Sequence, residues 1–166
     1  PLSASAGAGT TGANFLRIGP GARQAGMAEA ATGVADDAVA AFYNPASLAF
    51  LHEVELHFMH LTYWQGVNYE FATFGTKLSP DEGFGWNFSL LDAGKMDELQ
   101  EDASGSTYTK VGTFTFQNLS AAVTYSRFFD EERKFAVGGN IKAVVEQAAS
   151  TSRFGMALDL GAVLRR

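Results

Sequence analysis

The chain has no cysteine in its 166 residues, which excludes disulfides and thiolate-held metal or cluster sites and leaves the compartment open. Positive charge is also short: 12 Lys and Arg stand against 18 Asp and Glu, a net charge of −6. The basic footprint needed to hold a nucleic-acid backbone is therefore missing. Long hydrophobic runs are absent too. A spanning helix needs about 20 mostly apolar residues, but charge-free windows such as 38–51 and 111–126 are shorter and carry Asn, Gln, Ser, Thr or Pro. No secretory leader pattern stands ahead of the first basic residue, Arg17, so if the protein is exported a mature or trimmed chain is expected. Proline is scarce, at 4 residues.

Glycine and aromatic residues, by contrast, are plentiful: 18 Gly and 14 Phe, with 46% of residues hydrophobic. This composition suits many strands joined by tight turns. Residues 1–12 are Ala, Gly, Ser and Thr without apolar period and read as a flexible leader. Within 13–52 only short helical elements are expected. Residues 27–34 can form a small-residue helix. Asp36 suits an N-cap for a turn over 37–43, and Asp37 suits the positive end of that turn. Asn44-Pro45 is a second start signal, because Asn caps and Pro loses nothing at the first helical position. The stretch NPASLAF should thus be a brief helix feeding the first strand.

From residue 53 onward six strands are expected, at 53–62, 66–78, 84–92, 118–129, 134–148 and 153–164. The later ones alternate most clearly. Leu119, Ala121, Val123 and Tyr125 oppose Ser120, Thr124 and Ser126; Val137, Ile141, Ala143 and Val145 oppose Asn140, Lys142 and Glu146; Met156, Leu158 and Leu160 oppose Gly155, Asp159 and Gly161. That is period two, with one apolar face and one small or polar face. Two architectures produce it. A soluble sandwich turns the apolar face inward against a second sheet. An outer-membrane barrel turns it outward to lipid and lines its lumen with the polar face. Mid-strand ionic residues, short charged turns at 79–83 and 129–133 against a long loop at 94–117, and aromatics near strand ends (Tyr63, Trp64, Phe84, Trp86, Phe128, Phe129) point to the barrel.

No reactive constellation emerges. His57 and His60 fall on opposite faces of a strand, so they share no metal. No nucleophile elbow precedes a helix, and the early glycines lack the strand and the Lys of a phosphate loop. Asp97, Glu98, Glu101 and Asp102 read as a solvated acidic loop, their spacing unlike an EF-hand. A non-enzyme without metal or cofactor is the expectation.

Three segments carry a resemblance: GANFLRIG at 12–19, GARQAGMAEA at 21–30 and VADDAVAAFYNPASLAFL at 34–51. Together they resemble the opening segment of the PorV/PorQ family of outer-membrane barrels, relatives of the FadL-type transporters. The resemblance implies an all-β, antiparallel transmembrane β-barrel of fourteen strands in the bacterial outer membrane. Residues 1–52 would supply a leader and a plug or hatch, with Asp36, Asp37, Asn44, Pro45 and Ala46 as its motif, and residues 53–166 the first six strands. Six strands do not close a spanning barrel, whose smallest examples have about eight, so a longer polypeptide, or several copies, is expected to complete it. With the plug in the lumen, Arg17 and Arg23 are expected to pair with inward carboxylates such as Glu70 or Asp159, in a polar network that also holds Asn140, Lys142 and Glu146. The implied partners are outer-membrane lipid and proteins of an envelope complex, the implied role a shuttle or scaffold in type IX-like protein secretion and surface attachment. A FadL-like channel with a hydrophobic ligand in its lumen and a purely structural envelope subunit are the alternatives.

Overall fold

Period-two alternation gives the later strands one apolar and one small or polar face, and tight turns then bring neighbours side by side. The computed structural model describes residues 12–34, 37–102, 105 and 107–165. In it β1 (Glu55–Thr62), β2 (Asn68–Ser79), β3 (Glu82–Glu101), β4 (Tyr108–Phe128), β5 (Phe135–Ala148) and β6 (Thr151–Leu164) form one antiparallel sheet in sequence order. The protein is therefore all-β beyond a helical N-terminal segment, with β1 and β6 at the two edges of the sheet.

The register aligns each face in cross-strand rows. One row runs Leu56, Phe74, Trp86, Val123, Ile141, Leu158. The row one residue over, on the opposite face, runs Glu55, Gly75, Gly85, Thr124, Asn140, Asp159. The apolar face is the bare one: Phe58 is 74% exposed, Ile141 59% and Leu160 78%. The polar face is the covered one, with Thr73, Ser89, Ser120, Thr124, Ser126 and Asn140 all buried. This is the reverse of a soluble sandwich. In water each bare Val, Ile, Leu or Phe forgoes about 1.5–3 kcal/mol of burial, and the row of Val123, Ile141 and Leu158 is one of several.

Residues 12–34 and 37–54 cover the polar face. A 3-10 turn (Asn14–Arg17), helix α1 (Ala22–Gly26), helix α2 (Ala40–Tyr43) and a 3-10 helix (Pro45–Phe50) follow one another across it. The helix expected at 27–34 is replaced by turns, because Ala28 and Glu29 stand at φ 53° and 63°. The 3-10 helix Pro45–Phe50 touches every strand from β2 to β6.

The long loop expected at 94–117 is mostly strand. β3 and β4 continue past their neighbours as a two-stranded arm. Register shifts between Asp92/Lys95 and between Glu98/Leu99, with Gly94 at φ 68°, break the alternation there. Lys110 pairs across the arm with Asp97 at 2.5 Å. The asymmetry between the two ends of the sheet thus lies in strand length, since the connections at 80–81 and 149–150 are equally short. Phe128, expected at a lipid-level belt, is on the covered face instead, edge-on to Phe50 with ring centroids 4.8 Å apart.

Candidate functional site: the seat of the N-terminal segment

The most constrained part of the molecule is where the Asn44–Leu51 stretch lies on the sheet. Asn44 takes extended backbone angles, its side-chain Oδ1 accepts from the Ala46 amide at 3.2 Å, and Pro45 occupies the first helical position. The same side chain donates from Nδ2 to the carbonyls of Thr32 (3.2 Å) and Ala162 (3.1 Å). Helix backbone can approach a sheet this closely only where side chains are missing. A Cβ on Gly138 would lie 2.6 Å from the Pro45 carbonyl, one on Gly83 2.5 Å from the Leu48 carbonyl carbon, and one on Gly161 2.8 Å from Pro45 Cδ. Beyond these glycines Phe50, Ala46 and Ala49 pack on Phe128, Ala136 and Val163.

Of the residues expected to form the motif, those described have structural work. Asp37 Oδ1 accepts from the Ala40 amide at 2.7 Å, which starts α2, while Oδ2 accepts from Gln24 Nε2 at 2.9 Å and meets Arg23 Nη1 at 3.5 Å. Asp36 lies outside the described residues. Ala46 is fully buried against the sheet. Tyr43, at the end of α2, donates its hydroxyl to the Pro20 carbonyl at 2.8 Å. Burial above all, with Glu29 and Asp37 adding negative potential, pushes its phenol up to about 12.

Part of the expected polar network is assembled and part is not. Lys142 Nζ meets Asp159 Oδ2 at 2.6 Å and lies 5.3 Å from the centroid of the Phe42 ring. Asn140 Nδ2 reaches both Asp159 Oδ2 and the Ala41 carbonyl at 3.4 Å, while Thr124 Oγ1 donates to Asn140 Oδ1. Glu146 Oε1 accepts from the Ala13 amide at 2.7 Å. Lys142, Asn140, Asp159 and Glu146 therefore all face the N-terminal segment. Glu70 does not: it is register partner of His60 on the bare face and meets His60 Nδ1 at 2.5 Å. Even-numbered residues of β2 point away from the segment, so neither Arg17 nor Arg23 can pair with it. Arg17 is exposed, and Arg23 forms an ion pair with Asp37 inside the segment itself.

Sequence reading missed the glycine seat and the lysine beside it. Gly83, Gly138 and Gly161 sit on the small-polar parity of three strands, a signal visible in the alternation once the covered face is known. Lys77 on β2 donates to the Ala49 carbonyl at 2.6 Å and the Pro80 carbonyl at 3.2 Å, closing the far end of the 3-10 helix. Among the described residues no group of three or more His, Asp or Glu side chains could hold a metal ion. What the arrangement does is mechanical: caps, ion pairs and a glycine seat hold a segment against one face of a sheet. Comparison with protein-family models, with curated proteins and with solved structures found no significant match to this chain.

Proposed function

We propose that the sheet is part of the wall of an outer-membrane β-barrel of the kind the N-terminal segment resembles, with that segment stoppering the lumen. The observation that carries this reading is the inverted amphipathicity: the apolar face is bare and the polar face is covered. On β5 the outward residues run from Phe135 to Val145, ten residue steps or about 34 Å at about 3.4 Å per residue. Tilted by roughly 40°, that becomes roughly 26 Å, the height of the apolar band of such barrels. Lipid also requires every strand edge to be paired, so further strands on β1 and β6 complete the wall.

The stopper favours a scaffold or secretion partner over a channel. The covered face carries Ser, Thr, Asn and Gly together with Tyr69, Phe71, Phe128 and Val163, and the seated segment occupies it; a conduit for hydrophobic small molecules would call for an open interior. In this reading the protein is an outer-membrane partner in protein secretion and surface attachment, and the projecting β3–β4 arm, carrying Asp97, Glu98 and Glu101, offers the surface a client protein meets.

Trp86 on the bare face and Trp64 in the β1–β2 connection are the two tryptophans. In a Trp64→Phe variant reconstituted into vesicles of chain-brominated lipid, Trp86 fluorescence should be strongly quenched. Unquenched Trp86 would show that the face does not meet acyl chains. Recovery of a secreted client by crosslinking through the arm in whole cells tests the role, and uptake of a labelled apolar solute without any such client would favour the channel.

A further inference from the structure

We propose that Thr62, His60 and Glu70 form an acyl-transfer triad on the bare face, and that its substrate is the ester of a long-chain lipid. Glu70 Oε1 meets His60 Nδ1 at 2.5 Å, and His60 Nε2 meets Thr62 Oγ1 at 2.9 Å. A carboxylate on one ring nitrogen and a hydroxyl on the other is the arrangement of orienter, base and nucleophile. With Nδ1–H held by Glu70, Nε2 turns its lone pair to the hydroxyl. Asn68 Oδ1 is a second acceptor for that hydroxyl, at the longer distance of 3.2 Å.

Position separates this group from an ordinary surface pair. The row Thr62, Asn68, Asp92, Gln117, Gln147 is polar throughout and forms a rim to the apolar band. His60 and Glu70 stand one row inside that rim, in register with Leu90, Leu119, Val145 and Phe154. Ionisable groups within an apolar band are costly and mark function. A cross-strand ion pair alone explains neither the interrupted row nor the hydroxyl on the second ring nitrogen. The side chains are open, His60 60% and Glu70 46% exposed. Four residues along β2 from Asn68, or about 14 Å, Ala72 opens a depression of about 790 Å³ lined also by Trp86, Phe88, Ala121 and Ile141. An ester carbonyl held at Thr62 therefore has an apolar trough within reach of its chain. The lipid as substrate rests on the reading of the bare face as lipid-facing.

In the first step Thr62 Oγ1 attacks the ester carbonyl carbon as its proton passes to His60 Nε2. The alcohol leaves with that proton, and the acyl group stays on Thr62. Water then attacks the acyl carbon and gives a proton to Nε2. The fatty acid departs as Thr62 Oγ1 takes that proton back. Glu70 touches no reacting atom; it positions the ring.

Hydrolysis is measured on the full protein in neutral detergent, with didecanoyl phosphatidylcholine and p-nitrophenyl butyrate as probes. Both should be cleaved. Thr62→Ala and His60→Ala should each lower the rate about a hundredfold or more, and Thr62→Ser should retain it. Glu70→Gln should lower kcat about tenfold or more and leave KM unchanged, the mark of an effect on the chemical step. Cleavage of the butyrate alone would remove the lipid as substrate. No cleavage of either ester, or cleavage undiminished in Thr62→Ala and His60→Ala, would overturn the proposal. Trp86 quenching by brominated lipid separates the two readings. Quenching without hydrolysis strikes the triad and spares the lipid-facing wall, whereas hydrolysis without quenching strikes the wall and spares the triad.

Discussion

Asn44 holds the carbonyl of Ala162 at 3.1 Å, so a side chain ahead of the first strand is bonded to the last one. The same amide serves Thr32, and its oxygen caps the 3-10 helix through Ala46. Asn44→Ala should therefore remove a cap and leave two carbonyls without their donor. A loss of about 1–2 kcal/mol is expected, read from urea unfolding in detergent. An unchanged midpoint would mean that the segment is held without this junction.

Gly138 and Gly139 are neighbours with opposite tolerance. A Cβ on Gly138 meets the backbone of Pro45 and Ala46 at 2.6–2.7 Å, whereas one on Gly139 finds nothing nearer than 3.5 Å. Gly138→Ala should cost about 1–3 kcal/mol by overpacking and make the 12–54 segment sensitive to protease. Gly139→Ala should leave both stability and protease resistance at wild-type levels. Equal behaviour of the two variants would remove the seat as an explanation.

Ile141 sits in the middle of the bare face. On a solvated sheet an exposed Ile→Arg change stays within about 0.5 kcal/mol. At the midplane of a bilayer it costs about 2–4 kcal/mol. Folding of Ile141→Arg into lipid vesicles, compared with wild type, distinguishes the two; indifference would place this face in water.

Tyr43 supplies a pH test. Its phenol titrates near 12 in the fold against about 10 in an unfolded chain. The raised value means that the neutral form is favoured by folding. That contribution is fully present below pH about 10 and is lost as pH climbs toward 12. Protease resistance of the N-terminal segment should decline across this window, and Tyr43→Phe should make the decline shallower. A decline equally steep in both proteins would assign it to other groups.

The strands and their faces were legible because burial of one face imposes period two, and β4, β5 and β6 keep that period cleanly. The capping roles of Asn44 and Pro45 were legible because capping is local. The arm was not: its two register shifts and Gly94 erase the alternation over 94–117, and its carboxylates then look like loop. Nor was the side on which Glu70 lies, since β2 has Thr and Phe on both parities and only pairing with β1 fixes its phase. The covered-face position of Phe128 depends on Phe50, 78 positions away in sequence, and no local pattern encodes such a contact.

The glycine seat also fixes a distance. With no room for a methyl group on Gly83 or Gly138, the 3-10 helix and the strands beneath it have one permitted separation. Because that helix touches β2 to β6 at once, it acts as a template in the finished fold, a rigid form to whose contour five strands conform.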